Sequence, residues 1–196
     1  MAVNRLERLS PKFFNAAGQV LPNRVEYPVS CSRVLFIFLI TITSCKHSQL
    51  EVGLDAKSGS NAAGFALLSE QDGVVKLSAT IRGLSAGTHA IHLHEKADCS
   101  SDDGKSTGGH WNPTFTPHGA WGDEKGYHKG DIGNFEVGEN GIGRVYFETD
   151  EWCIGCDDDT KNILGKAVIV HQGADDLTSQ PSGAAGARVS CAGIIN

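Results

Sequence analysis

The chain has 196 residues, 40% of them hydrophobic, a size that suits one compact domain with its own core rather than two. Its 24 glycines, single methionine and lack of a long apolar segment with helical period favour short strands over a helical bundle. Acidic residues outnumber basic ones by 23 to 17, and the formal net charge of −6 argues against nucleic acid, whose recognition needs a basic surface. We expect an all-β protein with a small soluble partner.

The most apolar segment, Val34–Ile42, precedes every strand pattern. It follows Arg33, and its nine residues are too few for a membrane-spanning helix, which needs about 20. A short apolar run between a basic residue and small residues is typical of a secretory signal. The run ends in Ile-Thr-Ser-Cys, which resembles the lipobox of bacterial lipoproteins. We therefore expect cleavage before Cys45 and a lipid on its thiol; an ordinary signal peptide cut elsewhere is the alternative.

These features divide the chain into an export region, 1–44, and a folded domain, 45–196. A signal peptide normally begins within a few residues of its basic segment, so we expect that translation starts nearer Arg33 than Met1. The protein is expected outside the cytoplasm, in the periplasm or cell envelope. Only the lipid would hold it to a membrane.

Short apolar runs separated by turn residues follow Cys45 and predict eight strands. Their predicted ranges are 50–57, 64–70, 74–82, 89–94, 133–137, 142–149, 163–171 and 188–195. The break Gln71-Asp72-Gly73 is a hairpin signal. Eight strands favour a sandwich or flattened barrel. Two long loops remain, roughly 95–131 and 172–187, and loops of that length are usually functional.

Four cysteines follow the expected lipidation site. In an oxidising compartment they are more typical of two disulfides than of metal thiolates. Cys153 and Cys156 form a CxxC, which we interpret as a local bridge, with a free thiol pair as the alternative. No strand-to-helix context supports a thioredoxin-like site. Cys99 and Cys191 would join a long loop to the last strand.

Histidines are concentrated at strand ends and in the first long loop. Six of the eight lie there, namely His92, His94, His110, His118, His128 and His171. Because side chains alternate along a strand, His92 and His94 project from the same face. A lone pair of this kind is more often a surface feature than a metal site, so the loop histidines decide the interpretation.

The loop histidines are followed by a carboxylate. His110, His118, His128 and Asp131 give three imidazoles and one carboxylate, a tetrahedral set that zinc accepts. The other three imidazoles, on the strand ends, form a nitrogen-only environment of the type that copper prefers. The sequence therefore predicts two neighbouring metal sites.

Four segments resemble the signature blocks of copper/zinc superoxide dismutases. They are HAIHLHE at 89–95, GGHWNP at 108–113, HKGDIGN at 128–134 and GARVSCAG at 186–193. The blocks occur in the family's order, and the resemblance spans nearly all of 50–195. It implies an eight-stranded Greek-key barrel that converts two superoxide anions into dioxygen and hydrogen peroxide. It also implies a Cys99–Cys191 disulfide.

The resemblance assigns a ligand set to each metal. Copper would bind His92, His94, His110 and His171, and zinc would bind His110, His118, His128 and Asp131. His110 would bridge the two ions. Asp175 matches the family's carboxylate that orients one ligand of each metal, His92 and His118.

Arg188 matches the arginine that guides the superoxide anion in this family. A guanidinium suits that role because it is always charged and offers several hydrogen-bond donors. The resemblance implies that copper alternates between Cu(II) and Cu(I), and that His110 leaves copper and takes up a proton. Residues 177–187 carry no charge, whereas animal members have a charged guidance loop there. The attraction of superoxide to the copper site would then depend on Arg188 alone, or on Lys129 and other lysines.

Two other functions are compatible with parts of this pattern. An exported copper and zinc carrier on the same barrel would bind metal without turnover. A zinc hydrolase would need an open position on a three-ligand zinc, whereas the expected set has four ligands. The sequence leaves monomer and homodimer open.

Overall fold

A computed structural model describes residues 48–196, so the export region and Cys45 lie outside the described residues. The described chain consists of eight strands, one short 3-10 turn at Lys105–Thr107, and loops. The strands are β1 Ser48–Ala56, β2 Ala63–Gln71, β3 Val74–Arg82, β4 Gly87–His94, β5 Gly133–Val137, β6 Ile142–Thr149, β7 Ala167–His171 and β8 Arg188–Gly193. The all-β prediction is confirmed. Residues 48–196 include no helix long and apolar enough to cross a membrane.

The strands form a closed barrel in the order β1-β2-β3-β6-β5-β4-β7-β8, with every pair antiparallel. The order departs from sequence order at β3–β6 and β4–β7, as the Greek-key prediction requires. Continuous ladders join β1, β2, β3 and β6, and others join β5, β4, β7 and β8. Two short seams close the barrel, at Val137 opposite Gly143 and at Asp55–Ala56 beside β8.

The barrel interior is filled by alternate side chains, as β3 illustrates. Val75, Leu77, Ala79 and Ile81 are buried, whereas the residues between them are exposed or half-buried. This period of two lets each strand bury one face and leave the other to solvent. Removing the apolar faces from water, at roughly 25 cal/mol per Å², is the main force that holds the strands together.

Strands β4 and β7 differ because both of their faces are buried. Leu93 and Val170 belong to the main core, whereas His92, His94 and Ile169 lie on the opposite, outer face of the same strands. Those outward residues are also buried, so the two long loops must cover this side of the barrel. The functional side chains therefore lie between the barrel wall and its loops.

The predicted strand bounds are correct for β3, β5 and β6 and differ by one or two residues at most other ends. The exception is β7, which begins at Ala167 instead of residue 163. Ile163 is buried, but it lies in a turn in which its carbonyl oxygen accepts the Lys166 N–H at 3.2 Å. The apolar pattern reports burial, which a buried turn shares with a strand.

Both predicted disulfides are present. Cys99–Cys191 joins the first long loop to β8 across 92 residues, with the two Cα atoms 5.9 Å apart. Cys153–Cys156 closes a local turn in the segment between β6 and β7. The first bridge holds the loop against the strand next to β7, and so fixes one wall of the covered region.

Candidate metal centre

The geometry of β4 and β7 fixes three histidines on the covered face. His92 and His94 alternate with core residues on β4, and His171 ends β7 at an irregularity in its pairing with β8. The Nδ1 atom of His94 is 3.0 Å from the carbonyl oxygen of Gly108, and that of His171 is 3.4 Å from that of Gly186. These main-chain contacts orient each ring so that Nε2 points away from them.

The first long loop brings its histidines to the same place by pairing with β4. His110 forms an isolated antiparallel bridge with His94. On the following residue, Trp111 N–H donates to Leu93 O at 2.8 Å, and Leu93 N–H donates to Gly130 O at 2.9 Å. Both ends of the loop are thus bound to one strand, which places His110 beside His94.

Two ligand sets result. The first ligand set consists of His92, His94, His110 and His171, and the second of His110, His118, His128 and Asp131. All members are buried, and within each set the potential ligand atoms lie within 4.8 Å of one another. His110 belongs to both sets through its two ring nitrogens. The structure therefore brings together every residue that the sequence predicted as a ligand.

The ring nitrogens of both sets test whether metal ions fit. Among the described residues, six buried ring atoms have no hydrogen-bond partner: Nδ1 of His92, His118 and His128, and Nε2 of His94, His110 and His171. A buried polar atom without a partner is costly and rare. All six belong to the two ligand sets, so bound cations would satisfy them at once.

Asp131 is the carboxylate of the second ligand set. Its Oδ1 is 2.8 Å from His110 Nδ1 and 3.3 Å from His128 Nδ1, and its Oδ2 is 3.0 Å from His118 Nδ1. Oδ2 also accepts the backbone N–H of His128 at 2.8 Å. Burial raises the pKa of Asp131, but its hydrogen bond to His110 and its close contacts with His118 and His128 outweigh this and hold the pKa well below its usual range. It is therefore an anion at neutral pH, as a metal ligand must be.

Asp175 connects the two ligand sets through the Nε2 atoms of one histidine from each. Its Oδ2 is 2.8 Å from His92 Nε2, and its Oδ1 is 2.9 Å from His118 Nε2. The carboxylate is buried, and its backbone is tied to Asn134 by hydrogen bonds of 2.8 Å in both directions. Each contact fixes the tautomer of one imidazole and leaves Nδ1 free for a cation.

Protonation of the imidazoles follows from their surroundings. Burial and the neighbouring histidines hold the pKa values of His94 and His171 well below the ordinary value, and burial lowers the pKa of His110 to about 4. Burial also lowers the pKa of His118, but Asp131 and Asp175 outweigh it and raise the pKa to about 9. His94, His110 and His171 are thus neutral at pH 7. A cation bound by His118, in contrast, replaces a proton.

A cavity of about 650 Å³ opens beside the first ligand set and is lined by His94, His110, His171 and Arg188. The Arg188 Nη1 group donates to Gly104 O at 2.9 Å and to Thr107 Oγ1 at 3.0 Å. The 3-10 turn of the first loop thus holds the guanidinium at the wall of the cavity. No sequence pattern indicates this contact, because the partners are more than 80 residues apart.

The other charges at the cavity partly cancel. Lys105 lines it and pairs with Asp103 at 3.0 Å, and Glu95 lines it as well. Lys129, considered above for steering, forms an ion pair with Glu151 and does not line the cavity. Arg188 is a cavity-lining cation whose charge acts on both His94 and His171 of the first ligand set.

Comparison with known proteins identifies this arrangement. The sequence profile of the family "Copper/zinc superoxide dismutase (SODC)" matches residues 62–194, more than half of the chain. The chain belongs to the copper/zinc superoxide dismutase family. It is 37% identical over 134 residues to "Superoxide dismutase [Cu-Zn] 2" of Mesembryanthemum crystallinum, a match covering 65% of this chain and 82% of the relative.

Solved structures agree on the fold. A SOD-like protein from Bacillus subtilis is similar with a TM-score of 0.66 and 31% identity, over 74% of this chain and 97% of that one. The clock protein EA4 is similar with a TM-score of 0.64 and 33% identity, over 76% of this chain and 95% of that one. The barrel is therefore the Greek-key barrel of superoxide dismutases, and copper and zinc are its cofactors.

Proposed function

We propose that this member of the family is an active superoxide dismutase, converting two superoxide anions and two protons into dioxygen and hydrogen peroxide. One observation carries the proposal: His110 belongs to both ligand sets and lies beside a solvent-connected cavity whose wall presents the Arg188 guanidinium. A redox site for a small anion needs metal ligands, access and a positive charge, and all three meet here.

The first ligand set would hold copper, because it offers four imidazoles and no carboxylate. The second would hold zinc, because three imidazoles and Asp131 make a closed four-ligand set. Bound copper supplies the one-electron chemistry by alternating between Cu(II) and Cu(I).

The protein's own groups supply binding and protons. Arg188 would bind the superoxide anion, since its Nη1 group is fixed by neutral oxygen atoms and its positive charge stays available. His110 lines the cavity, and its Nε2, which has no hydrogen-bond partner among the described residues, would hold the proton that the reduced product takes up. Asp175 would hold the rings of His92 and His118 in fixed orientations through both half-reactions.

The alternatives have less support. A carrier without turnover has no need for an arginine fixed at the mouth of the first ligand set. A zinc hydrolase needs an open coordination position, and the second ligand set has four members.

The test is to load the purified protein with copper and zinc, measure both metals per chain, and follow superoxide decay directly. We expect one ion of each and a decay rate that scales with copper content, whereas the metal-free protein should be inactive. Tight binding of both metals without acceleration of decay would overturn the proposal and favour the carrier.

We also propose that the protein is exported and anchored by a lipid on Cys45. The apolar run 34–42 that ends near this cysteine supports export, and the two disulfides are typical of an oxidising compartment.

A further inference from the structure

The segment between β6 and β7, residues 150–166, packs against the loop that carries the second ligand set. The Glu151 carboxylate lies at the contact. Its Oε1 accepts the Tyr127 hydroxyl at 2.6 Å, and its Oε2 forms an ion pair with Lys129 Nζ. The next residue, Trp152, is 1% exposed and donates its Nε1–H to the carbonyl oxygen of Lys129 at 2.8 Å.

These partners flank a ligand. Tyr127 and Lys129 are the residues before and after His128, whose Nδ1 belongs to the second ligand set. Asp131 lies three residues after His128, and its backbone N–H donates to His128 O at 3.0 Å. Glu151 thus holds both neighbours of His128 without touching the ligand itself, and fixes the backbone from which His128 projects.

Glu151 can position this loop because its own segment is firmly held. Glu151 N–H donates to Thr149 Oγ1 at 3.0 Å, and Ile154 N–H donates to the Glu70 carboxylate at 2.7 Å. The Cys153–Cys156 disulfide closes the turn that follows. Trp152 also packs on Phe147, with ring centroids 5.0 Å apart.

The burial of the ion pair makes its loss costly. The Lys129 side chain is 18% exposed and that of Glu151 is 30% exposed, so neither charge is fully solvated. Replacing the carboxylate with an amide removes the counter-charge of a largely buried ammonium and leaves one acceptor oxygen for two donors. The loop would then shift to solvate them, and His128 would move with it.

We propose that Glu151 is a positioning residue for the second ligand set, so that retention of zinc depends on a side chain that binds no metal. The inference rests on the proposed assignment of zinc to that set. Groups that orient metal ligands typically change metal affinity by 10–100-fold. Since Glu151 acts through the neighbours of His128, we expect an effect of about tenfold.

The test compares Glu151→Gln with Glu148→Gln in the full chain. Both variants remove one negative charge from the end of β6, but Glu148 forms an exposed pair with Lys76, with side chains 70% and 63% exposed. Zinc affinity is measured by competition with a chelator, and Co²⁺ absorption reports ligand geometry in the second set. Copper affinity is measured separately.

We expect Glu151→Gln to weaken zinc about tenfold and change the Co²⁺ spectrum, with copper affinity and the Glu148→Gln control unchanged. Glu151→Asp should recover part of the loss, because it restores the charge. Wild-type zinc affinity in Glu151→Gln would overturn the inference. So would an equal loss of zinc and copper, which indicates general destabilisation.

Tyr127→Phe provides a milder second variant, since it removes only one bond to Glu151 and keeps the ring. It should weaken zinc binding by less than Glu151→Gln does. A larger loss of zinc affinity would contradict the proposal that the Glu151 carboxylate is the main positioning group. The readouts also separate two failures. Weakened zinc with no superoxide turnover in any protein overturns the proposed function alone, whereas normal turnover with unchanged zinc affinity overturns only the role of Glu151.

Discussion

Arg188 is hydrogen-bonded to neutral oxygen atoms, and although Asp103 is near enough to act on its charge, no ion pair joins it to a described carboxylate. Its Nη1 group donates to a carbonyl and to a hydroxyl, so these contacts fix the guanidinium without neutralising it. An arginine paired with a carboxylate would offer less attraction to an anion. The arrangement therefore suits a residue that meets a charged substrate.

Replacing this residue should separate attraction from metal binding. Arg188→Ala should lower the superoxide rate by about tenfold or more while both metals stay bound, because the arginine is not a ligand. Arg188→Lys should recover part of the rate, since it restores charge without the planar fork.

Ionic strength provides the control for this prediction. With residues 177–187 uncharged, the salt dependence of the wild-type rate should depend largely on Arg188. At about 0.15 M salt the screening length is roughly 8 Å, so a charge beside the metal is screened less than distant ones. Equal rates for wild type and Arg188→Ala across a salt series would refute the role of Arg188.

Asp131 is the only carboxylate among the eight ligand positions of the two sets, and its loss should act on one metal. Asp131→Ala should empty the second ligand set, because three buried imidazoles lose their counter-charge, while the first set keeps all four nitrogens. Metal analysis should find copper without zinc. A variant that retains full zinc occupancy would show that the carboxylate is misassigned.

At the scale of whole elements, the second long loop depends on a glycine. Gly183 has φ of +69°, and a Cβ atom there would collide with the Asp175 carboxylate and His118 Nε2. Gly183→Ala should therefore displace Asp175 and weaken metal retention, by roughly 10–100-fold.

Gly73 is the matched control for this substitution. It has a similar φ of +79°, but a Cβ atom there meets nothing within 4 Å. Gly73→Ala should cost about 1–2 kcal/mol of stability from backbone strain and leave metal affinity unchanged. Equal metal loss in both variants, measured by chelator competition, would mean that strain rather than the collision is responsible.

Local sequence patterns predicted some strands and site residues correctly but could not predict others. Alternation predicted β3, β5 and β6 at their observed bounds, because each buries one face. Residue types and spacing predicted members of both ligand sets, since so many histidines at strand ends and in one loop are typical of metal binding. Gly183 and Glu151 could not be found in this way, because their importance arises from contacts between distant loops.

For the whole molecule, attachment should depend on one residue outside the described barrel. Cys45→Ala should release the protein from membranes into the soluble fraction, because it removes the proposed lipid. The activity per chain should stay the same, since no ligand lies near the N-terminal segment in sequence. Fractionation checks this, and a variant that still sediments with membranes would refute the anchor.

Backbone pairing around the barrel is weakest at its two seams, where β5 meets β6 and β1 meets β8. Although one apolar core spans the barrel, we expect the strands on the two sides, taken as two units, to differ in how readily they open locally. Every member of the two ligand sets lies on β4 or β7 or in the loop between β4 and β5, within one unit. Bound ions stabilise that unit directly. Amide hydrogens of β4 and β7 should then exchange slowly only with metal bound, whereas those of β2 and β3 exchange slowly in either state.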